Sequence, residues 1–227
     1  MAILLSDSSM CVDLLRVGEQ IPLLDEAMDW HHADVMDGHY CPNMALSPAW
    51  VKAFCSAAKK PVEVHLMVTR PSDWLEVFAK AGAAMIAVHA EVMNANAFRT
   101  IHQIRALGCK VGVVLNPATP FDYIKEYIDE IDRITIMAVD VGYSGQPMIP
   151  QMVRKIKEAA DYKKANGLSY EIQVDGCCGK STYEIYGNAG AEMFVMGSGL
   201  FGLDKDLSKA IKIMKQDLKQ AEENIQR

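Results

Sequence analysis

The sequence predicts an α/β protein built as one closed (β/α)8 barrel, and three observations carry that prediction. Short apolar runs of strand length alternate with longer amphipathic segments along the whole 227-residue chain. Eight such runs are present, with starts mostly about 20 to 35 residues apart, the spacing of parallel strands joined by crossover helices. Each run is followed by polar or glycine-rich residues, and a TIM barrel gathers all eight of those ends at one mouth. A doubly wound open sheet has the same alternation but gathers the ends less well. No composition break or linker divides residues 1–227, so a single domain is expected.

The strands are read in order at 2–5, 30–34, 62–66, 85–89, 110–115, 134–137, 171–174 and 193–196, each rich in Val, Ile, Leu or Met. Between them lie helical patterns at 72–81, 96–107, 121–128, 150–166 and 181–189, and a charged helix at 207–223 closes the chain. Gly82, Gly108, Gly167 and Gly190 stand just past four of these helices, where a left-handed cap is expected. On this map Ser8 follows the first strand, His32 and Asp34 end the second, and His65 ends the third. His89 ends the fourth, Asn116 follows the fifth, and Asp140 to Gly145 follow the sixth. Asp175 and Gly176 follow the seventh, and Gly197 and Ser198 the eighth.

Composition narrows the function classes. The chain is 50% hydrophobic and 23% charged, with a net charge of −6, so nucleic acid and anionic membrane surfaces are not expected partners. No apolar stretch reaches membrane-spanning length and no basic start precedes a hydrophobic signal core, so a cytoplasmic protein is expected. The six cysteines match no disulfide scaffold or zinc motif and read as reduced thiols.

Four residues stand out for their chemistry. His32 and Asp34 lie two apart, hence on one strand face, and His65 and Asp175 close two further strands. A lone strand-end histidine is usually a hydrogen-bonded core residue, and an aspartate before glycine is usually a turn. Together on one barrel mouth, two imidazoles and two carboxylates make a site for one divalent metal ion whose carboxylates can also move protons. Zinc, manganese, cobalt and ferrous iron all suit that donor set. His31 should face away from His32, His102 lies on a helix surface, and His39 is undecided.

The loops after the sixth, seventh and eighth strands carry Gly142-Tyr143-Ser144-Gly145-Gln146, Gly176 and Gly197-Ser198-Gly199. Small residues there let backbone N–H groups converge on an anion, and phosphate sites of such barrels sit after the last strands. Met36, Met67 and Met137 lie near the same ends; they are core filling or a water-excluding lining.

At these motifs the chain resembles the ribulose-phosphate 3-epimerase family over nearly its full length. The similarity lies in His32-Ala33-Asp34-Val35-Met36-Asp37-Gly38-His39, Pro42-Asn43, Val64-His65-Leu66-Met67-Val68, Leu115-Asn116-Pro117, Gly142-Tyr143-Ser144-Gly145-Gln146-Pro147, Val174-Asp175-Gly176 and Gly197-Ser198. Leu46-Ser47-Pro48, Met67-Val68-Thr69-Arg70-Pro71, Gly145-Gln146-Pro147 with Ile149-Pro150, and Ser198-Gly199-Leu200-Phe201 are similar to the branch acting on D-allulose 6-phosphate. The resemblance implies a metal-dependent isomerase of carbohydrate metabolism, a homo-oligomer, epimerising C3 of a ketose phosphate. It implies that His32, Asp34, His65 and Asp175 hold the metal, with Asp34 and Asp175 as the acid and base. Ser8, His65, Gly142, Tyr143, Ser144, Gly145, Asp175, Gly176, Cys177, Gly197 and Ser198 match substrate-contact positions.

The pattern is broken in four places. Asp7 and Ser9 flank Ser8 where proline and an aliphatic residue are usual, and Ala90 and Val141 replace prolines. Asp7 is expected to put a negative charge near the anion site. The chemistry would be proton removal alpha to the C2 carbonyl and return on the opposite face, through a cis-enediolate whose charge the ion stabilises. Three other readings share the barrel. A Schiff-base aldolase needs a lysine at a strand's C-terminal end, where none is found; Lys110 begins its strand. A non-catalytic sugar-phosphate binder would exploit the departures. Ribulose-5-phosphate 3-epimerase, making D-xylulose 5-phosphate, differs only in the substrate's length by one carbon.

Overall fold

Eight parallel strands close on themselves in the computed structural model, which describes residues 3–225. They are β1 (Leu4–Ser8), β2 (Trp30–Asp37), β3 (Val62–Met67), β4 (Met85–His89), β5 (Lys110–Leu115), β6 (Arg133–Met137), β7 (Glu171–Asp175) and β8 (Met193–Met196). Each pairs in parallel with the next, and β1 pairs with both β2 and β8, which completes the predicted barrel. A two-residue strand, Met44–Ala45, folds back antiparallel on the end of β2.

Alternation along the strands sorts the residues into two environments. Val64 and Leu66 of β3, Ile86 and Val88 of β4, Val111 and Val113 of β5, and Ile134 and Ile136 of β6 face outward into one apolar layer. Helix residues such as Leu24, Val51, Phe54, Phe78, Ile101, Ile156 and Met214 complete that layer. Each such side chain taken from water contributes about 1.5–3 kcal/mol, which makes this layer the main source of stability. The intervening residues point inward, and several are polar: Glu63, His65, Arg133, Thr135 and Gln173 are all completely buried.

Those inward polar groups pair with one another at the barrel floor. Glu63 Oε2 accepts from Arg133 Nη1 at 3.0 Å and from Gln173 Nε2 at 2.9 Å. Gln173 Oε1 accepts from the Thr135 hydroxyl at 2.7 Å, and the Arg133 guanidinium lies 4.3 Å from the Trp30 ring centre. Glycine at 112 makes room for this cluster: a Cβ there would lie 2.8 Å from Ala87 Cβ and 3.4 Å from Glu63 Oε1.

Three local readings need correction. β1 runs Leu4–Ser8 instead of 2–5, so Ser8 ends the strand; Ala2 lies outside the described residues. Ser6, Asp7 and Ser8 look like turn residues, but pairing with Trp30, His31 and His32 satisfies their backbone in the middle of a closed sheet. β2 likewise continues to Asp37. The segment expected as a helix at 121–128 is a 3-10 stretch, Phe121–Glu130, interrupted at Tyr127, whose φ is −134° and whose hydroxyl donates to Asn94 Oδ1 at 2.5 Å. The first two crossovers hold helices Val17–Ala27 and Pro48–Ala57, which Pro22 and Pro48 obscure in the sequence. Gly82, Gly108, Gly167 and Gly190 do take left-handed conformations.

Replacing Gly112 with alanine should force β4 and β5 apart at the floor. The expected cost is about 1–3 kcal/mol in urea unfolding, the range for overpacking; an unchanged midpoint would show that the floor yields freely.

Candidate active site

The C-terminal mouth of the barrel brings the four expected ligands together. One donor atom from each of His32, Asp34, His65 and Asp175 lies within 4.8 Å of all the others. His32 Nε2 is 3.3 Å from Asp34 Oδ1 and 3.1 Å from His65 Nδ1, and His65 Nδ1 is 3.2 Å from Asp34 Oδ1. Asp175 Oδ2 is 3.7 Å from both ring nitrogens. Donors at about 2.0–2.1 Å from a tetrahedral ion are separated by about 3.3 Å, so the set fits such an ion without large movement. The outer nitrogen of His32 completes the fit: Nδ1 lies 3.0 Å from Glu63 Oε2, which accepts its hydrogen and leaves the Nε2 lone pair facing the cluster.

Electrostatics separate the two carboxyl groups. Burial would raise Asp34, but the His32 and His65 rings beside it hold it well below the usual carboxylate range. Burial, and then the charge of Asp34, pushes Asp175 up to about 6. Asp34 therefore gives up its proton more readily than Asp175, although both belong to one cluster. The Ser8 hydroxyl donates to Asp34 Oδ2 at 2.7 Å and fixes that carboxylate's rotation. Below them Arg133, His32 and Gln173 offset the burial of Glu63 and lower it to about 2.

A cleft of about 550 Å³ opens above the two aspartates. Its lining includes Ser8, Gly142, Tyr143, Ser144, Gly145, Asp175, Gly176, Cys177, Gly197 and Ser198, so the structure unites these sequence-predicted positions. His65 is fully buried and does not line it. Met36, Met67 and Met137 form part of the wall, joined by Met10 and Val141. Among the described residues no lysine or arginine lines the cleft, so an anion there would meet backbone N–H groups and hydroxyls.

Glycine is required at the lip for two different reasons. Gly142 and Gly176 have φ of +123° and +104°, which side chains rarely adopt. Gly199 packs so closely that a Cβ would lie 1.9 Å from Cys178 O, which joins the loops after β7 and β8. Asn43 Nδ2 donates to Gly142 O at 2.6 Å, and Gln146 Nε2 donates to Asp140 O and Tyr143 O at 2.6 and 2.9 Å. Those bonds hold the loop after β6 over the cleft.

With this geometry in view, the comparisons are decisive. Residues 4–201 match the ribulose-phosphate 3 epimerase family. The chain belongs to that family. It is 41% identical over 202 residues to the ribulose-phosphate 3-epimerase of Synechocystis, covering 88% of this chain and 87% of the relative. The Bacillus subtilis ribulose-phosphate 3-epimerase is 39% identical over 208 residues, covering 90% and 94%. Among solved structures, a 3-hexulose-6-phosphate synthase superposes with a TM-score of 0.72 at 16% identity, over 96% of this chain and 99% of that one, which supports the barrel alone. The protein is thus an isomerase, a sugar-phosphate 3-epimerase.

Some residues of the epimerase stand elsewhere than expected. Asp7 does not approach the cleft. Its carboxylate points outward to His31 Nδ1 at 2.5 Å, and the Ser9 hydroxyl donates to it at 2.9 Å. His31 reaches Asp25 of helix Val17–Ala27 through Nε2 at 3.0 Å and meets the Phe54 ring edge-on, so it faces the helices as predicted. The cause is strand alternation: Ser8 faces in, so its strand neighbour Asp7 cannot, and Ser9 opens the 3-10 turn Ser9–Cys11 that follows. His102 is exposed and pairs with Glu130, and His39 lies in an exposed loop. Ala90 is buried at the start of the short helix Ala90–Met93. All six cysteines are free thiols, and no described helix is long and apolar enough to cross a membrane.

Sequence reasoning missed Glu63 and His89. Glu63 stands two residues before His65, the same spacing that exposed His32 and Asp34, so a polar residue on the inward face was the available signal. His89 was placed at its strand end but given no task.

Two substitutions check this geometry. Asp7→Asn should cost about 1–3 kcal/mol in urea unfolding, because it weakens the buried contact to His31, yet leave KM for the phosphate substrate within about twofold, since it lies outside the barrel. A KM change of tenfold or more would place Asp7 at the anion site after all. Glu63→Gln should weaken divalent-ion binding by about 10- to 100-fold, by releasing the His32 ring; calorimetric titration of the metal-free protein that shows wild-type affinity would refute this.

Proposed function

We propose that this epimerase interconverts D-allulose 6-phosphate and D-fructose 6-phosphate by proton transfer at C3 between Asp34 and Asp175. The observation that carries the reaction is the pair of carboxyl groups itself: both border one cleft, with opposite preferences for a proton. They rise from β2 and β7, which β1 and β8 separate around the barrel wall, as two bases serving opposite faces of one carbon require. Asp34, ionised and held by Ser8, removes the C3 proton. Asp175, which holds a proton more tightly than Asp34, returns one to the other face. One turnover exchanges their protonation states and readies the site for the reverse reaction.

His32, Asp34, His65 and Asp175 would hold a divalent ion, which supplies the positive charge needed to stabilise the carbanion alpha to the C2 carbonyl. Each positioned carboxyl group is worth about 10² to 10⁴ in rate. Met10, Met36, Met67 and Met137 exclude water from the reacting carbon. The phosphate is placed against the backbone of Gly142–Gly145, Gly176–Cys177 and Gly197–Ser198, which leaves the carbonyl end of the sugar over the aspartates.

The six-carbon substrate is supported by the segments shared with the allulose branch. Gly145, Gln146, Ser198 and Gly199 line the cleft, and Leu46, Ser47 and Pro48 line an apolar groove beside it. A second reading, D-ribulose 5-phosphate to D-xylulose 5-phosphate, is favoured by the names of the curated relatives.

Comparison of kcat/KM on the two sugar phosphates, with metal reconstituted and after chelation, tests both readings. A metal-dependent preference for D-allulose 6-phosphate is expected; preference for D-ribulose 5-phosphate would replace the substrate and keep the reaction. Asp34→Asn and Asp175→Asn should each abolish turnover while the protein stays folded. Near-wild-type activity in either would rule out two-base transfer.

A further inference from the structure

Next to the four-ligand cluster lies a buried imidazole that the acid–base scheme leaves without a task. His89, the last residue of β4, is completely buried, and its Nε2 is 2.8 Å from Nε2 of His65. The two rings lie 5.0 Å apart at an angle of 29°. Two ring nitrogens at that separation share a single hydrogen: one donates and the other accepts.

The other side of His65 decides which. Its Nδ1 is the atom that faces His32 Nε2, Asp34 Oδ1 and Asp175 Oδ2, at 3.1, 3.2 and 3.7 Å. A histidine that offers the Nδ1 lone pair to an ion carries its hydrogen on Nε2. His89 Nε2 must then accept, and the His89 hydrogen must sit on Nδ1. That nitrogen has no hydrogen-bond partner among the described residues, and the Glu91 Oε2 carboxylate oxygen lies 3.5 Å away.

Glu91 is held in place from several directions. Its Oε1 accepts from the Thr119 hydroxyl and from the Asn116 backbone N–H, the latter at 3.3 Å. Its Oε2 accepts from the Tyr40 hydroxyl at 3.4 Å, and the Tyr40 ring leans on His89 with centres 4.7 Å apart. A carboxylate so fixed attracts the Nδ1–H side of the His89 ring and leaves Nε2 bare toward His65.

We propose that His89, oriented by Glu91, is a positioning residue that sets the tautomer of His65 and thereby the divalent-ion affinity of the site. The inference rests on the metal reading of the cluster. Without an acceptor at position 89, the buried Nε2–H of His65 would have no partner. The ring would then gain by moving its hydrogen to Nδ1, where it points among the other ligands and blocks the ion.

Zinc titration of the metal-free protein against a chelating competitor tests this, with the His65 ring nitrogens followed by ¹⁵N NMR and folding by circular dichroism. His89→Leu should weaken zinc binding by about 10- to 100-fold and shift the His65 hydrogen from Nε2 to Nδ1. His89→Gln retains an acceptor oxygen and should bind close to wild type. If the leucine variant does not fold, Glu91→Gln carries the test and should lower zinc affinity and mix the two His65 tautomers. Zinc affinity and tautomer unchanged in a folded His89→Leu or, in its place, Glu91→Gln protein would overturn the proposal while leaving the metal site intact. Absence of zinc binding by the wild-type protein would overturn the metal reading and this inference together.

Discussion

The buried contact among Arg133, Glu63 and His32 links the fold to the chemistry. A charged pair inside a barrel is costly to desolvate, and it is offset here by several hydrogen bonds converging on Glu63 Oε2, while Oε1 has no hydrogen-bond partner among the described residues. Glu63 Oε2 alone receives Arg133, Gln173 and the ring of His32. Arg133 is also held by Glu171 through Nε at 2.9 Å and stacks on Trp30. This floor leaves His32 little freedom to turn, and His32 Nε2 lies within 3.7 Å of a donor atom of each of the other three residues. The rest of the mouth is assembled on that fixed point.

The two ligand histidines are supported differently. His32 rests on a carboxylate neutralised by an arginine, whereas His65 rests on a second imidazole. Burial lowers His89 to about 4, so that imidazole is neutral. The difference follows from position: inward side chains of β3 and β6 meet across the barrel below the cluster, where Glu63 reaches Arg133, while β4 delivers His89 at its C-terminal end. Above them the anion lip carries no formal positive charge.

Much of this was legible in the sequence because strand alternation has a period of two. His32 with Asp34, and the opposition of His31 to His32, follow from that period alone, while the eight strands follow from apolar runs alternating with helical segments. Glu63 obeys the same rule and was overlooked, since a single glutamate in an apolar strand reads as solvent-facing until the partner across the barrel is known. Asp7 shows the reverse error. Adjacency to Ser8 in the chain suggested adjacency to the substrate, yet neighbouring residues on a strand face opposite ways. The extended β1 and the interrupted segment Phe121–Glu130 were missed because their backbone is fixed by neighbours distant in sequence.

By itself, then, the sequence determined the barrel class, the four residues that meet in one cluster, the glycine lip and the family, because periodicity, residue type and local motif are properties of the chain. Only the tertiary structure decided which carboxyl group holds its proton more tightly, which nitrogen of each histidine faces the cluster, and what fixes those choices. Protonation and tautomer depend on burial and on charges brought near from other strands. Glu63 lies 70 residues from Arg133, and no local pattern records their meeting.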